Sequence, residues 1–391
     1  MRWLTATLLM MATACPAAAQ CRAEPNAALG SVIGRHIKEL QPGSGPGGLA
    51  IAVRIDGRTS FFSAGMADEA RRQPVTCDSV FNLASLGKVF DTTLLADAVR
   101  RGEIRLDEPV AKYVTEFQHG GDIRVVTFGQ LATHTSGLLL PQDHPPWPDE
   151  HYVLSTFIDT LNRWSASEGH RPGKQHEYTH AGFILLHLAL ERRLGMPLRT
   201  LVEQRILKPL GMTSTALPGR GSNPRGDLDA ALKPRAVQGY DGDGQPVGEP
   251  GDIQGYYLWP GTGQMFSSAR DMATFLAANL GDLPGNRQLQ ADMRRAHRAL
   301  FPMRESNAQA PAWQALAWEV HPGSGPIVDK NGGLNNASAY IGMVPGKRIG
   351  IVMLANRGQQ DVTQAGRRIL LELASQKAGV SGKAHPHDAR M

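Results

Sequence analysis

Strand-like apolar segments occur at both ends of this chain, and a helical, Gly/Pro-punctuated middle separates them. Leu49 to Ile55 and Ser60 to Ala64 are two such runs, split by Asp56-Gly57, a pair that favours a tight hairpin because both residues tolerate left-handed backbone. Residues Trp313 to Asn356 return to the same pattern. Strands so far apart in sequence cannot each bury their faces alone. The economical solution is one antiparallel sheet assembled from both chain ends, with helices packed on it and a mainly helical lobe beside it, an α/β (α+β) architecture. An amphipathic helix is expected near Leu29 to Leu40, followed by a Gly/Pro-rich loop over Gln41 to Gly48, and another helix around Val362 to Ala374. The expected boundaries are an α/β lobe over about 20–80 and 300–378 and a helical lobe over about 81–299. Together these make one domain over 20–378, with a cleft between lobes as the natural site. The polar tail 379–391 is expected to be disordered.

The first nineteen residues read as a secretory signal: Arg2, an apolar stretch from Trp3 to Ala14, then Ala17-Ala18-Ala19 before Gln20. The apolar stretch is too short to span a bilayer, and no other long apolar run exists. Cys15 as a lipidated residue is a weaker alternative. Export to the periplasm would leave Cys21 and Cys77 in an oxidising compartment, where they could pair in one disulfide or stay as two thiols. The formal net charge of +5 is mild and its lysines and arginines are interspersed with acids, so nothing forms the basic stripe that a nucleic-acid groove needs. A monomer acting on a small molecule, with no nucleic acid and no membrane span, is the expectation.

Chemistry concentrates in three places. Ser85-Leu86-Gly87-Lys88 puts a lysine three residues after a serine, and on a helix the two share a face. A serine hydroxyl is a weak nucleophile unless a neighbouring base draws off its proton, and the start of a helix offers its own N–H to a developing oxyanion. The second place is Gln175-His176-Glu177-Tyr178-Thr179-His180, and the third is Lys330-Asn331-Gly332-Gly333.

In this order, the three motifs resemble those of the class C β-lactamases and their penicillin-binding relatives, which carry Ser-x-x-Lys, Tyr-x-Asn and Lys-Thr-Gly. Leu131-Ala132-Thr133-His134-Thr135-Ser136-Gly137 and Ala315-Leu316-Ala317-Trp318-Glu319-Val320 add to the likeness, which covers most of the chain after the leader. The resemblance implies a serine hydrolase with Ser85 as nucleophile and Lys88, Tyr178 and Lys330 as catalytic partners. It also implies an oxyanion hole from the backbone N–H groups of Ser85 and Gly333. A free phenol titrates near ~10, so Tyr178 serves as base only if the two lysines depress it; whether Lys88 or Tyr178 takes the serine proton stays open. By the same resemblance Gln142, His180, Asn331 and Asn356 stand at substrate-contacting positions. The family's asparagine and threonine are replaced by His180 and Asn331. A neutral imidazole offers one donor and one acceptor, so a narrowed, carbapenem-leaning spectrum is expected. The reading is a secreted class C type β-lactamase that hydrolyses the cyclic amide through a Ser85 acyl-enzyme. A DD-peptidase or esterase on the same fold is an alternative, as is a penicillin-binding sensor that acylates without turnover.

Competing signals are weaker. His176-Glu177-Tyr178-Thr179-His180 matches the H-E-x-x-H zinc pattern, but Pro172-Gly173 lies just upstream and the helical apolar run begins only after Gly182. No cofactor is expected, with incidental zinc at His176 and His180 the exception. Gly43 to Gly48 fits G-x-G-x-x-G but precedes a strand, the reverse of a dinucleotide site, and no G-x-S-x-G elbow exists.

Overall fold

A computed structural model describes residues 27–38, 40, 45–140, 153–218, 228–253, 263, 265–303, 311–323 and 325–382, the last five as backbone only. Its centre is a nine-stranded sheet in the order β3-β2-β1-β11-β10-β9-β8-β7-β6. The N-terminal half of that sheet is β1 (Gly48–Ile55), β2 (Arg58–Asp68) and β3 (Gln73–Pro74). The C-terminal half is β6 (Phe301–Pro302), β7 (Trp313–Gln314), β8 (Glu319–His321), β9 (Ile327–Leu334), β10 (Ala337–Val344) and β11 (Ile349–Ala355). β1 pairs antiparallel with β11 from Leu49↔Ala355 to Ile55↔Ile349, which joins the two chain ends as expected. Asp56 and Gly57, with φ of 48° and 84°, form the two-residue turn between β1 and β2. β4 (Val80–Asn82) and β5 (Phe266–Ser268) form a separate two-stranded sheet inside the stretch expected to be helical.

Alternation along the central strands explains why the sheet is covered on both faces. In β1, Leu49, Ile51 and Val53 belong to one apolar core with α1 (Ala27–Ile37) and the C-terminal helix, while Ala50 and Ala52 face the other core. The small residues admit a helix at close range. At Gly350 in β11, an added Cβ would lie 2.6 Å from the Leu276 side chain, so the glycine lets the helix carrying Leu276 pack closely on the strand. Full burial of each Leu or Ile is worth roughly 1.5–3 kcal/mol, and dozens are buried here.

The other helices follow the chain: α2 (Lys88–Arg100), α3 (Phe128–Ala132), α4 (Leu154–Arg163), α5 (His180–Leu194), α6 (Leu198–Val202), α7 (Lys208–Leu210), α8 (Ala269–Leu280), α9 (Arg287–Ala296) and α10 (Val362–Gly382). Helix α8 packs on β1 and β11, so it belongs with the sheet and not with the helical lobe, whose expected limit near 299 runs too far. The C-terminal helix likewise continues to Gly382, past the expected start of the tail. No helix among the described residues is long and apolar enough to cross a membrane. Cys77 is disulfide-bonded; its partner lies outside the described residues, as do Cys15 and Cys21.

Candidate active site

Three elements meet where the sheet abuts the helices. Ser85 sits in a 3-10 turn, Ala84–Gly87, that runs straight into α2 at Lys88. Ala84 enters the turn with φ of 49°, a strained conformation costing roughly 1–3 kcal/mol for a non-glycine residue. It is held there by a bond from its N–H to Asn82 Oδ1 at 2.9 Å, while Leu83 N–H is anchored on Met265 O at 2.8 Å. The sequence suggests a plain helix start; the tighter turn still leaves Lys88 one turn below the serine. Lys88 Nζ donates to Ser85 Oγ at 3.2 Å.

The second element is the segment leading into α5. Thr179 caps that helix by accepting the Gly182 N–H at 2.9 Å, which fixes the direction of the preceding residue, Tyr178. The Tyr178 hydroxyl donates to Ser85 Oγ at 2.9 Å. The residue is 38 % exposed, so it stands at the mouth of the site. The third element is β9. Lys330 Nζ lies 5.2 Å from the Tyr178 ring centroid, on which Lys88 Nζ also converges at 5.4 Å. An added Cβ on Gly332 would meet Leu83 O at 2.3 Å and Leu86 N at 2.8 Å, so this glycine lets β9 touch the backbone of the serine turn. β8 ends its pairing at Glu319↔Asp329. Gly333, beyond that point, has open space on its Cβ side.

The electrostatics follow from this convergence. Burial drives the Lys88 ammonium pKa down, an effect partly offset by its hydrogen bond and attraction to Tyr178 and reinforced by Lys330. For Tyr178, burial opposes ionisation, but Lys88, Lys330 and the bond to Ser85 together hold the phenol below its ordinary value. The two groups therefore share their protons as a coupled pair. His180, at the first turn of α5, lies edge-on to Tyr178 at 5.4 Å. Burial and the two lysines push its pKa down to about 2, so it is neutral at any working pH. Behind Lys330, Glu319 Oε1 lies 3.6 Å from Nζ. Burial would raise the Glu319 pKa, but His321, Lys330 and Arg367 bring it to about 2.

The structure thus brings together Ser85, Lys88, Tyr178, Lys330 and His180, with Gly333 on the adjoining strand. Asn331 is exposed on β9 opposite Tyr340. Asn356 requires a correction. It is 1 % exposed, its Oδ1 accepts the Gly48 N–H at 2.6 Å, and its Nδ2 bonds the carbonyls of Met66, Ala67 and Gln238. Its amide is spent on tying segments together, leaving nothing to offer a substrate carboxylate. Gln142 lies outside the described residues.

The H-E-x-x-H stretch does not have zinc-protease geometry, because α5 starts only at His180. His176 Nε2 is engaged by Gln314 Oε1 at 2.9 Å, and Glu177 pairs with His170. Among the described residues, one group of three possible metal ligands lies close together, Glu319, His321 and Asp329. Arg367 already bonds both carboxylate oxygens of Asp329, supplying the positive charge that such a cluster seeks. Sequence reasoning missed Glu319 and His134 as members of the site, although both lie in segments that carried the resemblance. Their pairing with Lys330 and Tyr178 is set by the fold, and no spacing rule announces it.

The family model described as Beta-lactamase matches residues 34–374. A β-lactamase of Escherichia coli (strain K12) is 28 % identical over 344 residues, covering 79 % of this chain and 84 % of its own. One from Pseudomonas fluorescens is 26 % identical over 341 residues, covering 79 % of this chain and 88 % of its own. Among solved structures, a D-alanine carboxypeptidase from Burkholderia cenocepacia superposes with a TM-score of 0.74 at 28 % identity, covering 88 % of this chain and 99 % of its own. A class C β-lactamase from Rhodobacter sphaeroides gives 0.73 at 26 % identity, covering 90 % and 99 %.

Proposed function

Because the chain belongs to the β-lactamase family, we propose that it is a serine β-lactamase of class C type, opening the cyclic amide through an acyl-enzyme on Ser85. One observation carries this reading: Ser85 Oγ receives hydrogen bonds from both Lys88 Nζ and Tyr178 OH, at 3.2 and 2.9 Å. Loss of one proton from that pair reverses one bond, so that the serine O–H donates and its oxygen gains nucleophilic character. Attack on the carbonyl moves the serine proton onto the pair. The C–N bond then breaks as the pair returns that proton to the departing nitrogen. Water subsequently attacks the ester, giving up a proton to the same groups, which pass it to Ser85 Oγ as the ester C–O bond breaks. The backbone N–H groups of Ser85 and Gly333 are the proposed donors to the oxyanion, each typically worth about 10²–10³ in rate. Lys330 supplies positive charge for a substrate carboxylate.

The substrate range is proposed from His180 and Asn331. A neutral imidazole beside Tyr178 has one donor where a primary amide has two, which favours β-lactams without a bulky acylamino arm, such as carbapenems. The carboxypeptidase among the structural relatives makes a D-alanyl peptide the second substrate class to test. Export to an oxidising compartment is supported by the leader sequence and by the disulfide at Cys77. No cofactor enters this reading, and the protein is proposed to act as a monomer.

Steady-state assays with a chromogenic cephalosporin, a carbapenem, a D-Ala-D-Ala peptide and a p-nitrophenyl ester separate the possibilities. Turnover of the β-lactams above the peptide and ester supports the proposal, and a higher kcat/KM for the carbapenem supports the narrowed range. Stoichiometric acylation without turnover would assign a sensor, and preferential hydrolysis of the peptide or the ester would assign a DD-peptidase or an esterase.

A further inference from the structure

His134 has a place in this site that the three motifs do not reveal. It follows α3 in the Thr133-His134-Thr135-Ser136-Gly137 stretch and is fully buried. It touches all three residues of the Glu177-Tyr178-Thr179 segment. Its backbone carbonyl accepts the Glu177 N–H at 2.8 Å. Its ring Nδ1 accepts the Thr179 N–H at 3.2 Å. Between these two bonds the imidazole stacks on the Tyr178 ring, with centroids 4.3 Å apart and planes 29° apart. Phe183 supports the imidazole in turn, at 4.8 Å, and the same Phe183 ring lies 5.6 Å below Lys88 Nζ.

The backbone at His134 has φ of 53°, a conformation that a non-glycine residue keeps only where its surroundings enforce it. They do enforce it. Thr135 N–H bonds Gln130 O at 2.9 Å, Gly173 N–H bonds Thr135 O at 2.7 Å, and the hydroxyls of Thr133 and Thr135 bond each other at 2.9 Å. The electronic consequence is as specific as the steric one. An Nδ1 that accepts a backbone N–H carries no proton, so the ring is the neutral Nε2–H tautomer. That Nε2 meets no hydrogen-bond partner among the described residues. A neutral ring adds no third positive charge beside the two lysines that act on the phenol.

We propose that His134 is a positioning residue for proton transfer: it clamps Tyr178 from both sides in sequence and from beneath, holding the phenol oxygen on Ser85 Oγ. This rests on the reading of Tyr178 as part of the proton-accepting pair. The charged and titratable groups facing that phenol are Lys88 from α2, Lys330 from β9 with Glu319 behind it, and His134 and His180, with His176 edge-on to His134. A phenol loosened from the clamp moves away from the lysines, loses part of their field, and regains a more ordinary affinity for its proton.

The test is the pre-steady-state rate of Ser85 acylation against pH for wild type, His134→Phe, His134→Asn and Tyr178→Phe, with thermal unfolding of each. His134→Phe keeps the stacked ring and removes the acceptor. His134→Asn keeps an acceptor, tolerates the left-handed backbone and removes the ring, so it carries the comparison if the Phe variant does not fold. The expected result is acylation slower by about 100-fold, with substrate binding changed by less than about threefold, and a rising limb displaced to higher pH. If a folded His134 variant keeps the wild-type limb and a rate within about twofold while Tyr178→Phe is impaired, the inference fails alone. If Tyr178→Phe itself acylates normally, the reading of Tyr178 fails and takes the inference with it.

Discussion

Two ammonium groups flank one phenol at 5.2 and 5.4 Å from its ring centroid, and this sets the chemistry at the residue scale. Both lysines lower the pKa of Tyr178, and Lys330 also lowers that of Lys88. Removing Lys330 therefore moves both groups the same way, toward their free values. Lys330→Ala is expected to displace the rising limb of kcat/KM to higher pH, in addition to weakening carboxylate-bearing substrates, and pH profiles of the two proteins check it. An unmoved limb would show that Lys330 binds substrate only. Most of this was legible in the sequence, because Ser85, Lys88, Tyr178 and Lys330 sit in motifs whose residue types announce acid–base chemistry. Asn356 was misread because a motif match cannot report burial. His134 was invisible because its partner segment lies some forty residues away.

At the scale of the element, β9 and the turn carrying Ser85 are built to fit each other. Gly332 faces backbone atoms of that turn at distances that no Cβ accepts, whereas Gly333 faces open space. Gly332→Ala is expected to push strand and turn apart, costing on the order of 1–3 kcal/mol in stability and most of the activity. Gly333→Ala keeps its N–H and should be tolerated. Thermal unfolding and nitrocefin turnover of the two variants check this, and equal behaviour would contradict the close fit of β9 to the turn at Gly332. The hairpin at Asp56-Gly57 follows from local residue preferences and was readable. The two-stranded β4–β5 sheet was not. Its three-residue strands pair across some 180 residues, and periodicity cannot register so short a run.

Across the whole molecule, a charged cluster fastens the C-terminal helix to the sheet directly behind the site. Arg367 from α10 bonds Asp329 of β9, Tyr340 of β10 donates to the same carboxylate at 2.9 Å, and His321 and Glu319 of β8 close the group against Lys330. Glu319 has its pKa lowered to about 2, so its share of stability is full above about 4.5 and is lost as pH falls through about 2. For His321, burial disfavours the proton, but bonds to Asp329 and Glu319 win and raise its pKa to about 9. Its share is full below about 6.5 and is lost as pH rises through about 9. The cluster therefore contributes most between about pH 4.5 and 6.5. The gap in melting temperature between wild type and His321→Asn should peak in that window and shrink on both sides; a gap independent of pH would contradict it.

The most direct measurement is mass spectrometry of the intact protein and its peptides, quenched within the first turnovers on a β-lactam. The expected result is a transient adduct of the ring-opened substrate on the peptide holding Ser85, decaying as hydrolysis proceeds, with neither adduct nor hydrolysis in Ser85→Ala. An adduct on another residue, or hydrolysis that survives in Ser85→Ala, would contradict the assignment of Ser85 as the nucleophile.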